Sequence, residues 1–138
     1  MTIELTDEMR RRLATALADG CPVIAASVHP DGRPKLSFYG STQVHDDKTL
    51  AIWVRDPEAG LLKRIATNPH LAFVYRNGAE RIFWQFEGRA SVCDDPEVAA
   101  GVYDASPAPE RDRDPARRGA AVLVTVDRVT GRGFVMER

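Results

Sequence analysis

DGRPKLSFYGSTQVHDDKTLAIWVRDPEAGLLKRIATNPHLAFVYR, residues 31–76, decides the fold. Asp31-Gly32 is a two-residue hairpin signal, and the apolar and β-branched runs on either side of it read as strands. The second strand starts as "RPKLSF" and turns small and polar at Gly40, Ser41, Thr42 and Gln43. Glycine leaves nothing to pack inside a strand, so Gly40 marks a bulge or a place where another group approaches the backbone. The hydroxyls and amide after it suit either a planar ligand rich in donors and acceptors or a strand running out into solvent. After the polar turn "HDDK", "TLAIWVR" reads as a third strand. "DPEAGLLKRIATNP" reads as a short helix with Asp56 as N-cap, Pro57 at its first position and Asn68-Pro69 as its end.

Outward from this stretch the pattern stays mainly β. Thr6 or Asp7 caps a first helix over about residues 7–18, with Met9, Leu13 and Leu17 as its apolar stripe and Gly20 near its end. "PVIAASVHP" is the first strand. "HLAFVYRN" and "ERIFWQFEGRASV" are the fourth and fifth, joined at Asn77-Gly78. In the fifth, Ile82, Trp84, Phe86, Gly88, Ala90 and Val92 share one face, and Phe83, Gln85, Glu87, Arg89 and Ser91 the other. Asp95-Pro96-Glu97 starts a helix to about Ala105, and "SPAPERDRDPARRG" is a polar connection with room for a helical turn. "AAVLVTVDRVTGRGFVME" is the sixth strand, with Thr130-Gly131 as a bulge or turn. Six strands with sparse helices and tight turns predict a small antiparallel barrel, expected as one domain over residues 1–138 with the barrel over about 22–136.

Composition excludes several functions. Nineteen basic and 20 acidic residues give a formal charge of -1, which supplies no field for nucleic acid or an anionic membrane surface. No apolar run approaches the ~20 residues of a membrane span. Cys21 and Cys93 form no Cys-x-x-Cys pair and read as reduced, buried thiols, so a cytoplasmic location is expected. His29, His45 and His70 lack metal-ligand spacing and read as turn histidines, and no metal site is expected. Nucleophile elbows, phosphate-binding glycine loops and dinucleotide fingerprints are absent.

The ordered set of the Asp-Gly-x-Pro hairpin, polar-ended strand, aromatic strand, helix closed by Asn-Pro, apolar strand and "FWQFEGRASV" resembles the pyridoxamine 5′-phosphate oxidase-like, FMN-binding split-barrel superfamily. The likeness covers roughly residues 20–105 and is to its short, oxidase-related members. It implies a six-stranded split barrel that pairs as a homodimer, with flavin in the grooves between subunits. The family's flavin-contacting strand aligns with Ser37 to Thr42, which puts Ser41, Thr42 and Gln43 at the ring and ribityl chain. A second contacting pair aligns with Trp53 and Val54, although Trp53 also reads as core. Arg55, beside that pair, is a fixed cation with five donors, suited to the FMN phosphate or to a solvent-facing strand end. Gln85 is placed to reach across the interface.

Departures from the family matter as much. The oxidases' Arg-Lys phosphate clamp falls at Gly60 and Leu61, so Lys63 and Arg64, one turn on, are the candidate replacements, with Gly60 leaving space for the anion. The substrate-phosphate lysine aligns with Thr42, the substrate set keeps only Tyr103 and Ser106, and the C-terminal Trp and Arg segment has no counterpart. Vitamin B6 oxidation is therefore not expected. The resemblance implies an FMN-dependent oxidoreductase acting on an unspecified small molecule. The alternative is a non-catalytic module holding a deazaflavin, haem or another planar ligand. "ERDRDPARR" is read either as a solvated loop or as a cover over the ligand.

Overall fold

The computed structural model describes residues 1–138. Eight antiparallel strands form one sheet in the order β2-β1-β5-β6-β7-β4-β3, with β8 pairing β7. In chain order these are β1 (Ile24–Val28), β2 (Pro34–Phe38), β3 (Gln43–Asp46), β4 (Thr49–Val54), β5 (His70–Asn77), β6 (Ile82–Val92), β7 (Ala120–Gly131) and β8 (Phe134–Glu137). The helices are α1 (Asp7–Ala14), α2 (Gly60–Thr67), α3 (Pro96–Ala105) and α4 (Ala108–Asp112). The mainly β, split-barrel-like architecture is the one expected. No helix is long and apolar enough to cross a membrane.

The strand count differs from six because two expected strands each divide. The second breaks after Phe38: the Thr42 backbone N–H donates to Tyr39 O, and the Thr42 hydroxyl donates to the same carbonyl at 2.8 Å, closing a turn over residues 39–42. The sixth breaks at a hairpin whose Gly133 takes φ +79°, backbone that only glycine adopts freely. Two helix boundaries move as well. The first helix ends at Ala14 and continues as turns to Gly20, and the second starts at Gly60, because Asp56 accepts from Glu58 N in a turn ahead of it. Thr6 caps α1 by accepting from Met9 N, and Asp95 caps α3. Cys21 and Cys93 are free thiols, half-buried rather than buried.

The core is a cluster of 24 buried residues that includes Leu50, Ile52, Phe73, Tyr75, Trp84, Phe86, Val122, Val124 and Val126, closed by Met9 and Leu13 of α1. A smaller cluster, Ala51, Trp53, Val102, Tyr103 and Ala121, lies on the opposite face of β4 and β7 beneath α3. Strand β4 is thus covered on both faces, which explains its run of buried residues from Leu50 to Val54. The outer face of β2-β1-β5-β6 is open. Register puts Phe38, Ile24, Val74 and Gln85 in one row and Leu36, Ala26, Ala72 and Glu87 in the next. Leu36 and Phe38 there are 68% and 67% exposed.

Candidate functional site

Between β2, β4, α2 and α4 the chain encloses a cavity of about 520 Å³, within the range of small-molecule sites. Four cations, Lys35, Arg55, Arg64 and Arg113, face two carboxylates, Asp56 and Glu110, across it. The walls include Ser37, Tyr39, Ser41, Trp53, Val54 and Leu61. The excess of positive charge suits an anionic ligand.

Arg64 is the best-placed cation. It is only 9% exposed, and its Nε donates to the Ser27 hydroxyl of β1 at 2.7 Å. Helical side chains lean toward the helix N-terminus, so Arg64 reaches back over the first turn of α2. A Cβ built on Gly60 would lie 2.6 Å from Arg64 Nη1. Gly60 therefore makes room for the guanidinium, which corrects the expectation that it leaves space for the anion itself. Ala59 gives α2 no side-chain cap, so the first N–H groups of the helix are open to an anion beside this buried arginine. The Tyr39 hydroxyl lies in the same corner. Burial raises its pKa, against the opposing influence of Arg64 and Ser37, so it stays a neutral phenol.

The polar run 41–43 is used differently from the expectation that these side chains face a ligand. Ser41 is 1% exposed; its Oγ accepts from Trp53 N at 2.8 Å and donates to Trp53 O at 3.1 Å. It ties the turn to β4 and lines the cavity. Thr42 bonds Tyr39 O, and Gln43 Nε2 donates to Ser41 O and Val102 O. Neither Thr42 nor Gln43 lines the cavity. The group that approaches Gly40 is also protein: a Cβ there would stand 2.5 Å from Glu110 Oε1. That carboxylate pairs with Arg55, Nε to Oε2 at 3.2 Å. An anion reaching Arg55 meets a guanidinium already partly neutralised by Glu110.

Trp53 and Val54 line the cavity. The Trp53 indole is also fixed from behind, donating from Nε1 to Asp114 Oδ2 at 3.0 Å and packing edge-on against Tyr103 with centroids 5.1 Å apart. Lys63 is exposed and lies outside the cavity, and so does Gln85, on the open outer face of β6. None of the three histidines lines it. Glu110 and Arg113 come from "ERDRDPARR", so this connection contributes to the cavity wall. Sequence reasoning passed over Glu110, Arg113 and Ser27 because nothing local distinguishes them. The signals were the unexplained Gly40, where another group had to approach, and the reading of "ERDRDPARR" as a cover.

Residues 5–132 match the family described as pyridoxamine 5′-phosphate oxidase, and the chain belongs to that family. No curated protein matches it. Among solved structures it is similar to a candidate pyridoxamine 5′-phosphate oxidase from Lactobacillus delbrueckii, at 21% identity over 94% of this chain and 95% of that one, with a TM-score of 0.68. An FMN-binding protein from Syntrophomonas wolfei is 9% identical over 93% of this chain and 91% of its own, with a TM-score of 0.68. An F420 reductase is 17% identical over 80% of this chain and 89% of its own, with a TM-score of 0.63.

Proposed function

We propose that this protein binds flavin mononucleotide in the cavity between β2, β4, α2 and α4 and acts as an oxidoreductase on a small molecule. The observation that carries this reading is the buried Arg64 guanidinium lying over Gly60 at the uncapped start of α2. Arg64 stands one turn from the position of the family's lost clamp and supplies a cation held by Ser27. It is the first residue for the phosphate, ahead of Arg55, whose guanidinium Glu110 already engages. Trp53, Val54 and the Ser37–Ser41 segment flank the ring. Ser41, Thr42 and Gln43 act mainly by holding the turn that shapes this wall. Lys63 contributes long-range charge at most. When bound, the flavin supplies the electron or hydride transfer, and the protein orients it and excludes water. Thr42, bonded to Tyr39 O, stands where the oxidases carry a substrate-phosphate lysine, so vitamin B6 oxidation is not part of the proposal.

The test is a titration followed by flavin absorbance. FMN is expected to bind at micromolar concentration or below, and at least tenfold more tightly than riboflavin, which lacks the phosphate. No FMN binding at micromolar concentration overturns the reading. A deazaflavin is the second reading, favoured by the likeness to an F420 reductase and by the four cations; tighter binding of a deazaflavin than of FMN would replace the first reading with it.

The proposal includes a cytoplasmic, single-domain homodimer. The open outer face carries Leu36 and Phe38 beside Ile24, Ala26, Ala72 and Val74, and contiguous exposed apolar surface marks interaction sites. A second copy on this face would also meet Gln85, which then serves the partner's site. Leu36→Glu with Phe38→Glu is expected to halve the mass measured by light scattering. An unchanged dimer moves the interface elsewhere, and a monomeric wild type removes it.

A further inference from the structure

At the far end of β5 and β6, a second cavity of about 450 Å³ is lined by Arg76, Arg81 and Arg132 together with Asn77, Phe83 and Thr130. It shares no residue with the first cavity. No carboxylate lines it, and none of its three arginines enters an ion pair. In a chain whose formal charge is -1, three unpaired guanidiniums on one concavity form a local positive field. They come from two hairpins, Arg76 and Arg81 from β5–β6 and Arg132 from β7–β8, which the β6–β7 pairing brings together.

Two local features shape the hairpin that carries Arg76 and Arg81. Arg81 sits at φ +57°, a left-handed backbone that favours glycine or asparagine over arginine. Conformations of this kind persist where the surroundings hold them, and they gather at binding sites. The Arg76 guanidinium lies over Gly78, where a Cβ would stand 3.3–3.5 Å from its atoms. Asn77, by contrast, is buried and anchors the turn: its Nδ2 donates to the Tyr75 hydroxyl and its Oδ1 accepts from Glu80 N. Phe83 pairs in register with Arg76 and is 40% exposed. An aromatic face thus stands beside planar, forked donors.

We propose that this cavity is a second, separate site for a nucleotide, with the phosphate on Arg76, Arg81 and Arg132 and the base against Phe83. Guanidiniums match phosphate oxygens through paired N–H donors, and a base stacks on an aromatic side chain whatever its sequence identity. Within one chain no side chain is common to this site and the proposed flavin cavity.

The experiment is calorimetric titration of the full chain with AMP and with inorganic phosphate, on wild type and on Arg64→Ala, in which the first cavity has lost its buried cation. AMP is expected to bind saturably to both proteins, at one per chain in Arg64→Ala, and about tenfold more tightly than inorganic phosphate. Arg76→Ala and Arg132→Ala, both at exposed positions, should each weaken AMP binding tenfold or more. Phe83→Ala should remove the advantage of AMP over phosphate, and Arg33→Ala, on another hairpin, should change nothing. Absence of saturable AMP binding in Arg64→Ala overturns the proposal, as does unchanged affinity in the Arg76 and Arg132 variants. Displacement of AMP from Arg64→Ala by one equivalent of FMN overturns the separateness of the site.

Discussion

Arg64→Ala is expected to weaken FMN binding roughly ten- to a hundredfold and to leave riboflavin affinity unchanged. Hydrogen bonds to charged groups contribute about 1.5–3 kcal/mol each, which corresponds to that range. The loss is confined to the phosphate-bearing ligand because Arg64 lies over the start of α2, away from the Trp53 side of the cavity. The same substitution strands the Ser27 hydroxyl, which is 4% exposed and bonded to Arg64 Nε, so some stability goes with it. Gly60→Ala separates the two effects. Gly60 opens α2, where the helix-interior advantage of alanine over glycine does not apply in full, and an added Cβ would lie 2.6 Å from Arg64 Nη1 and push the guanidinium aside. Weaker FMN binding, with a smaller loss of melting temperature than in Arg64→Ala, is therefore expected of Gly60→Ala. Equal losses of FMN and riboflavin in Arg64→Ala would remove Arg64 from the phosphate.

Alternation and turn signals were enough to read most of the fold. β6 alternates as its sequence does, with Trp84, Phe86 and Ala90 inside and Phe83, Gln85, Glu87 and Arg89 outside. Asp31-Gly32 and Asn77-Gly78 do mark hairpins, but neither forms the two-residue turn its chemistry predicts: Val28 pairs with Pro34 and Asn77 with Ile82, and the left-handed residues are Gly32 and Arg81. Local patterning failed where distant side chains decide. "FYGSTQV" reads as one strand until Thr42 folds back on Tyr39 and Glu110, from 70 residues downstream, occupies the space above Gly40.

The candidate site was half legible for the same reason. Trp53, Val54, Arg55 and Arg64 converge because β4 and α2 are adjacent in sequence, so their spacing carries the information. The hydroxyls of Ser41 and Thr42 looked free, since their partners are backbone groups that only the tertiary fold brings near. Arg64 and Lys63 were indistinguishable as neighbouring cations. The 100° step between successive helix residues sends one into the cavity and the other into solvent.

Asp114→Asn is expected to lower the melting temperature at neutral pH by about 10 °C, equivalent to about 3 kcal/mol for a chain of this size. The Asp114 carboxylate is 6% exposed and accepts three hydrogen bonds: from Trp53 Nε1 at 3.0 Å, Arg118 N at 2.9 Å and Gly119 N at 2.9 Å. An amide can accept with its oxygen only, and its NH₂ would face an N–H donor. Released from Asp114, Trp53 and the 117–119 turn no longer brace the β4 wall of the cavity, so FMN affinity should fall with stability. The pH dependence identifies the charged form as the stabilising one. Burial raises the Asp114 pKa, but the backbone N–H groups of Arg118 and Gly119, the indole N–H and the Arg118 charge outweigh it and hold it below the ordinary 3.8. A depressed folded-state pKa contributes stability that is present in full above the unfolded value and is lost as pH falls through the folded one. The gap between wild type and Asp114→Asn, measured by thermal melts, should therefore be constant above about pH 5 and narrow below the ordinary value of 3.8. A gap that stays constant down to pH 2, or no gap at pH 7, would show that the carboxylate's charge does not hold this corner of the fold together.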